Sequence, residues 1–360
     1  MKKIVIAFFI LTIGINSLLS QVRLLETPPK SYVVYRAADS ITTDGKLDEE
    51  SWQNIPWTED FQDIEGSLKP DPHYRTRVKM LWDENYFYIA AQLEEPHIWA
   101  TFTERESIIF HENNFEVFID PSGDTHNYYE LEINALGTIW DLMLTKPYRN
   151  GGLPISAWDV RGFKYGIHKE GTINDPSDVD KMWTVEMAFP WNILAESAPA
   201  KRKPSSGEYW RVNFSRVQWK LDIVNGEYQK RVNPETGKPY PEYNWVWSPQ
   251  WAIDMHRPEL WGYALFSDIK AGEGTQTFKL PKDEKVKFIL RELYYKQHNY
   301  KRENNKFAQS LKELNPKNKK LYKFIKPKFD IAKTRFKISA PTTDKSGKWH
   351  ITEDSKIWRD

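Results

Sequence analysis

The sequence predicts an all-β fold, an antiparallel β-sandwich of jelly-roll type, followed by a C-terminal helix and a small basic tail. Three observations carry that expectation. Residues 77–83, 86–93, 114–120 and 128–134 are short aromatic and β-branched runs, parted by Asp83-Glu84-Asn85, a Pro-containing loop and Pro121-Ser122-Gly123-Asp124. Each run alternates. Phe115, Val117 and Ile119 share one face, with Glu116, Phe118 and Asp120 on the other; Tyr129, Leu131 and Ile133 likewise oppose Tyr128, Glu130, Glu132 and Asn134. Finally, no long amphipathic helical pattern interrupts residues 31–268, so the apolar faces must be buried sheet against sheet.

Taken in order, Met1-Lys2-Lys3 and the apolar run 4–15 predict an export signal over residues 1–20 with a cut before Gln21. The run is too short for a comfortable membrane span, so the mature chain is expected to have no transmembrane segment. Residues 21–30, with Pro28-Pro29, read as a lead-in. A strand is expected over 31–35, then a strand from Ile41 entering a turn at Asp44-Gly45 and a short helix over 48–53. After the four central strands come strands over 140–144, 163–168 and 182–189, a helical turn after Pro190, and strands over 210–219, 243–247 and 261–266. Of the 16 Trp, 14 lie between Trp52 and Trp261, and those at inward phase, such as Trp82, Trp183 and Trp210, are expected in the core.

The tail has another character. Residues 281–360 hold 18 Lys and 4 Arg against 10 acidic residues, a surplus of twelve positive charges that leaves −11 for residues 1–280 in a chain of net charge +1. Phe288, Leu293, Tyr300 and Phe307 sit at helical spacing, predicting one long helix over 285–311, and residues 348–358 read as a terminal hairpin around Glu353-Asp354-Ser355. Opposite charge and the apolar stripe predict that this extension docks on its own sandwich. The chain has no cysteine, which excludes a disulfide framework, thiolate metal sites and a cysteine nucleophile.

Five motifs in order and spacing, 41–52 (ITTDGKLDEESW), 78–89 (VKMLWDENYFYI), 114–120 (NFEVFID), 183–190 (WTVEMAFP) and Trp247-Ser248-Pro249 with Trp261-Gly262, resemble the carbohydrate-binding module family 9-like domains over residues 31–268. The resemblance implies a distorted β-sandwich that binds sugars, often beside glycan-degrading enzymes. Position by position, the family's acidic ligand falls on Glu116, its amide ligand on Asn213 and its first stacking ring on Phe110. Its arginine falls on Glu132, and its second stacking tryptophan falls near Met255, with Trp251 four residues away.

The residue types fit that chemistry on their own account. A pyranose offers an apolar C–H face and a rim of hydroxyls, which call for a ring and for carboxylate or amide partners. Phe110, Glu116, Glu132, Asn213, Trp251 and Met255 are therefore the candidate carbohydrate-binding residues. Two alternatives use the same region. Glu116 and Glu132 on adjacent strands would suit a glycoside hydrolase, which needs two carboxylates roughly 5 to 10 Å apart. Met255-His256 would suit a haem-binding sandwich, although consecutive residues of an extended segment point apart. Asp120 and Asp124 would suit a structural calcium; otherwise no cofactor is expected. The expected protein is an exported carbohydrate binder acting in polysaccharide catabolism, secreted, periplasmic or at the cell surface. Its partners would be an oligo- or polysaccharide and glycan-degrading enzymes, with no nucleic acid.

Overall fold

The computed structural model describes residues 27–315, 322 and 324–360. The predicted signal segment 1–20 and most of the 21–30 lead-in lie outside the described residues. Thirteen strands among those described form one hydrogen-bonded sheet. In chain order they are β1 (Ser31–Arg36), β2 (Gln62–Asp63), β3 (Thr76–Trp82), β4 (Tyr86–Glu94), β5 (Asn114–Asp120), β6 (Tyr128–Asn134), β7 (Ile139–Leu144), β8 (Pro154–Ile155), β9 (Lys164–Glu170) and β10 (Met182–Pro190). A separate two-stranded hairpin, β12 (Leu221–Val224) and β13 (Glu227–Lys230), interrupts the remaining three, β11 (Tyr209–Gln218), β14 (Tyr243–Val246) and β15 (Gly262–Lys270).

The path β8-β7-β6-β5-β11-β15-β1-β3-β4-β10-β9 folds over on itself into a sandwich. Phe115, Val117, Leu131 and Phe214 from one half meet Val78, Met80, Ile89 and Val185 from the other in a single core, together with Trp82, Trp183 and Trp210. The alternation read from the sequence thus places the inward face. The pairing is not wholly antiparallel, however. β1 runs parallel to both its neighbours, with Val33 opposite Leu265 and Tyr35 opposite Leu81. It enters the sheet from the lead-in and leaves through a long loop, so no two-residue hairpin dictates its direction.

The Ile41 run forms no strand. Residues 41–49 are loop, closed by the one-turn helix α1 (Glu50–Gln53), and they cover the outer face of β1, β3, β4 and β10. Buried Glu186 organises this cover: it accepts from the Trp52 indole (2.7 Å), the Gly45 amide (2.6 Å) and the Asp44 amide (3.0 Å). Gly45 is required twice over, by its φ of +88° and because a Cβ would lie 2.4 Å from the His168 amide nitrogen. Another short helix, α2 (Trp191–Leu194), follows β10 and lays Trp191 on the core.

The C-terminal extension carries helix α3 (Glu284–Asn304) and a four-stranded sheet of β16 (Lys328–Ile331), β17 (Phe336–Pro341), β18 (Lys348–Thr352) and β19 (Ile357–Arg359). The helix stops short of the predicted Leu311 because Asn305 caps it in the left-handed conformation, φ 57°. Val286, Ile289, Leu290 and Leu293 meet Ile338, Ala340 and Ile351 in a second core. The opposite side of the helix meets the sandwich. Phe288 packs with Trp251 and Leu260, and buried Glu284 accepts from the hydroxyls of Tyr209 (3.0 Å) and Tyr263 (2.6 Å). Opposite charges meet along this seam at Lys356–Asp124 (3.7 Å) and Lys146–Asp354 (3.8 Å). No helix among the described residues is long and apolar enough to cross a membrane.

Candidate functional site

The outward face of β5, β6 and β7 is the floor of a cleft. Antiparallel register aligns Ser215, Glu116, Glu132 and Trp140 in one cross-strand row, and Asn213, Phe118, Glu130 and Leu142 in the next. Side chains two residues apart on a strand share a face, so both rows look out on the same side. The cleft they floor has a volume of about 350 Å³, at the lower end of the range for small-ligand pockets. Its walls bring in Phe110, Tyr148, Met255 and His256.

Each wall residue is held by identifiable contacts. Phe110 sits in a 3₁₀ turn, Ile109–His111, whose carbonyl at 110 accepts from the Trp219 indole at 3.1 Å. The residue remains 38 % exposed, with its ring centroid 6.3 Å from that of Trp140. On the opposite wall, Arg149 donates to the His256 carbonyl (2.6 Å) and to Glu259 (3.0 Å), tying the Tyr148 turn to the 254–256 segment. Tyr148 and His256 then meet edge to face at 4.5 Å, and the Tyr128 hydroxyl lies 3.0 Å from His256 Nδ1.

Electrostatically the floor is unusual. Glu116, Glu130 and Glu132 are buried, and burial pushes all three carboxyls up: Glu116 to about 7, Glu130 and Glu132 well above the ordinary range. Glu116 adds to the rise at both of the others, while the Ser215 hydroxyl moderates its own. One oxygen each of Glu130 and Glu132 has no hydrogen-bond partner. Burial also pushes His256 down to about 4, so it faces the cleft as a neutral ring. No Lys or Arg is among the described residues lining the cleft.

The structure brings together Phe110, Glu116, Glu132 and Met255 of the predicted set. Asn213 and Trp251 lie elsewhere. Asn213 is 0 % exposed, and its amide is used twice by Ser248, donating to the carbonyl (2.9 Å) and accepting from the N–H (2.9 Å), which pins the 248 segment to β11. Trp251 has a φ of 58°, which turns its indole away from the cleft onto Gly66 and under Phe288 of α3. Met255 and His256 both line the cleft, contrary to the extended-chain expectation, because residues 251–256 are a series of bends rather than a strand. Asp120 spends its carboxylate on its own turn, accepting from the amides of Gly123 and Thr125 at 2.8 Å each.

Trp140, Tyr148, Glu130 and Glu242 also line the cleft without having been singled out as binding residues. Trp140 was within reach of the alternation pattern, since Ile139, Asp141 and Met143 turn inward and leave 140 on the carboxylate face. Tyr148 was not, because it sits in a 3₁₀ turn whose placement depends on Arg149 and Glu259.

The model of the carbohydrate family 9 binding domain-like family matches residues 43–207, the stretch that contributes Phe110, Glu116, Glu130, Glu132, Trp140 and Tyr148. Endo-1,4-beta-xylanase A of Thermotoga maritima is 32 % identical over 87 residues, which cover 24 % of this chain and 8 % of that enzyme's length. A carbohydrate binding module family 9 of Caldicellulosiruptor kristjanssonii in complex with cellotriose aligns over 69 % of this chain and all of its own, at 13 % identity and a TM-score of 0.41. The same module in complex with glucose aligns at 14 % identity and a TM-score of 0.39, over 69 % of this chain and 100 % of its own. Over residues 43–207 this chain is therefore similar to the carbohydrate family 9 binding domain-like family.

Proposed function

We propose that the sandwich binds a glycan in the cleft between Phe110 and His256. One observation carries this reading. Exposed rings, Phe110 and Tyr148 with Trp140 beside them, surround a floor whose carboxyls at Glu130 and Glu132 each keep an unpartnered oxygen. Rings accept the C–H face of a sugar, and unpartnered carboxyl oxygens take hydroxyl hydrogen bonds that are otherwise missing in the free protein. The family match over the same residues supports it. The basic and apolar residues 1–15 support export before binding, and a role beside glycan-degrading enzymes in polysaccharide catabolism completes the proposal.

Hydrolysis by Glu116 and Glu132 is the weaker reading. A glycosidase needs its two carboxyls pushed apart, one ionised and one protonated. Here burial drives Glu116, Glu130 and Glu132 in the same direction, and among the described residues no Lys or Arg lines the cleft to hold one of them ionised. A glycan array on the full chain, with a reducing-end assay on each hit, tests the proposal. Binding without release of new reducing ends is the expected result; binding with turnover that disappears in Glu132→Gln would replace it with hydrolysis.

A further inference from the structure

The cleft's lining is one-sided in charge, and that asymmetry narrows the ligand. Among the described residues, five with carboxyl groups line it and no Lys or Arg does. Glu116, Glu130 and Glu132 form its buried floor, with Glu242 and Asp254 at the rim. Asp254 has a cation at 3.9 Å in Arg149, and the basic nitrogen next to Glu130 is His256 Nε2 at 4.0 Å, on a ring that burial keeps neutral. Glu130 and Glu132, 6 % and 2 % exposed, each leave Oε2 without a hydrogen-bond partner. Burying carboxylates without cations is costly, so such a floor gains most from a ligand that brings a positive charge. The walls suit the same charge, because an ammonium group is attracted to ring faces and, among the described residues, none of Phe110, Trp140 or Tyr148 has a cation over it.

Resting on the glycan-binding reading, we propose that the cleft selects an amine-bearing sugar, a hexosamine with a free ammonium group at the end or within a short oligosaccharide. The ammonium sits over Glu130 and Glu132, and the apolar face of the ring lies against Phe110 and Trp140. A neutral sugar would bring no cation to draw the buried carboxyls into their ionised form, and an N-acetylated one would replace the cation by a bulkier amide.

Three β-1,4-linked disaccharides that differ at the C2 substituent test the assignment: the glucosamine dimer, its N-acetylated form and cellobiose. They are titrated calorimetrically into the full-length protein near neutral pH, at low and high salt. The glucosamine dimer is expected to bind at least tenfold more tightly than either of the others, with affinity that falls as salt rises. Because ionised carboxylates are favoured by the ammonium, protons should leave on binding, seen as a heat that changes with the ionisation enthalpy of the buffer. Glu132→Gln, and separately Glu130→Gln, should reduce the preference severalfold while thermal melts show the fold intact. Tighter binding of cellobiose would overturn the amine assignment and leave the glycan reading standing. No binding of any of the three, with no hit on a broad glycan array, would overturn both. Retention of the full preference in both Gln variants would also contradict the assignment.

Discussion

Glu116 stands directly across from Glu132 in the antiparallel pairing of β5 and β6, and Trp140 is the next residue across on β7. Directly opposed side chains on neighbouring strands lie about 5 Å apart at Cβ, so two carboxyls and an indole share one small surface. Like charges at that position would destabilise a sheet, and burial, which pushes both carboxyls up, favours their protonated forms instead.

The first expectation concerns pH. Glu116 is raised from an ordinary value of 4.5 to about 7, so between those values the folded chain keeps a proton that the unfolded chain has lost. Its contribution is fully present below 4.5 and is lost as pH rises through 7. The melting temperature of ligand-free protein should therefore fall between pH 5 and 8, and should fall less in Glu116→Gln. Identical slopes in variant and wild type would remove Glu116 as a cause.

Glu259 works in the opposite sense. It is drawn down to about 2, with Arg149, Arg291 and Arg257 outweighing its burial, and it links the cleft wall to α3 through Tyr295. Its support is present above 4.5 and fades as pH falls toward 2. Removing it takes away the buried carboxylate that Arg149 meets at 3.0 Å, and Glu259→Ala should cost about 3 to 5 kcal/mol in denaturant unfolding. A loss near zero would mean that solvent reaches this seam.

The two tryptophans near the cleft should separate cleanly. Trp251 is buried against Leu260 and Phe288, so Trp251→Ala should cost about 3 to 5 kcal/mol of stability, much of it from the junction with the tail. Trp140 borders the cleft with its ring near Phe110, so Trp140→Ala should weaken glycan binding by about 1 to 3 kcal/mol with a smaller effect on melting. Paired thermal melts and titrations check both; swapped effects would reverse the placement of these rings.

The tail is expected to resist proteolysis. Its helix buries Phe288, Glu284 and Tyr295 against the sandwich. Limited digestion of the wild type should spare the 281–284 junction, and Phe288→Ala should open it. Rapid loss of everything after Lys282 from the wild type, with the sandwich intact, would show a free arm.

Much of this architecture was legible in the sequence because strand alternation is a local signal. Phe115, Val117, Leu131 and Ile133 could be assigned inward, and Glu116 and Glu132 outward, from the two-residue period alone. The Asn225-Gly226 hairpin between β12 and β13 is an equally local signal, since both residues adopt the positive φ (55° and 82°) that this pair favours. What could not be read depends on distant partners. Trp251 was assigned to the site because nothing local shows that Phe288 would cover it. Asn213 looked like a ligand because its partner, Ser248, lies 35 residues away. The parallel placement of β1 likewise depends on a strand more than 200 residues downstream.

The central claim is that the Phe110 to His256 cleft holds sugar, and titration calorimetry of wild type and Phe110→Ala against the best array ligand tests it most directly. Phe110 is exposed and carries little of the core, so its loss should weaken binding by about 1 to 3 kcal/mol while leaving the melting temperature nearly unchanged. Equal affinity in the two proteins would contradict the assignment and place the sugar elsewhere on the molecule.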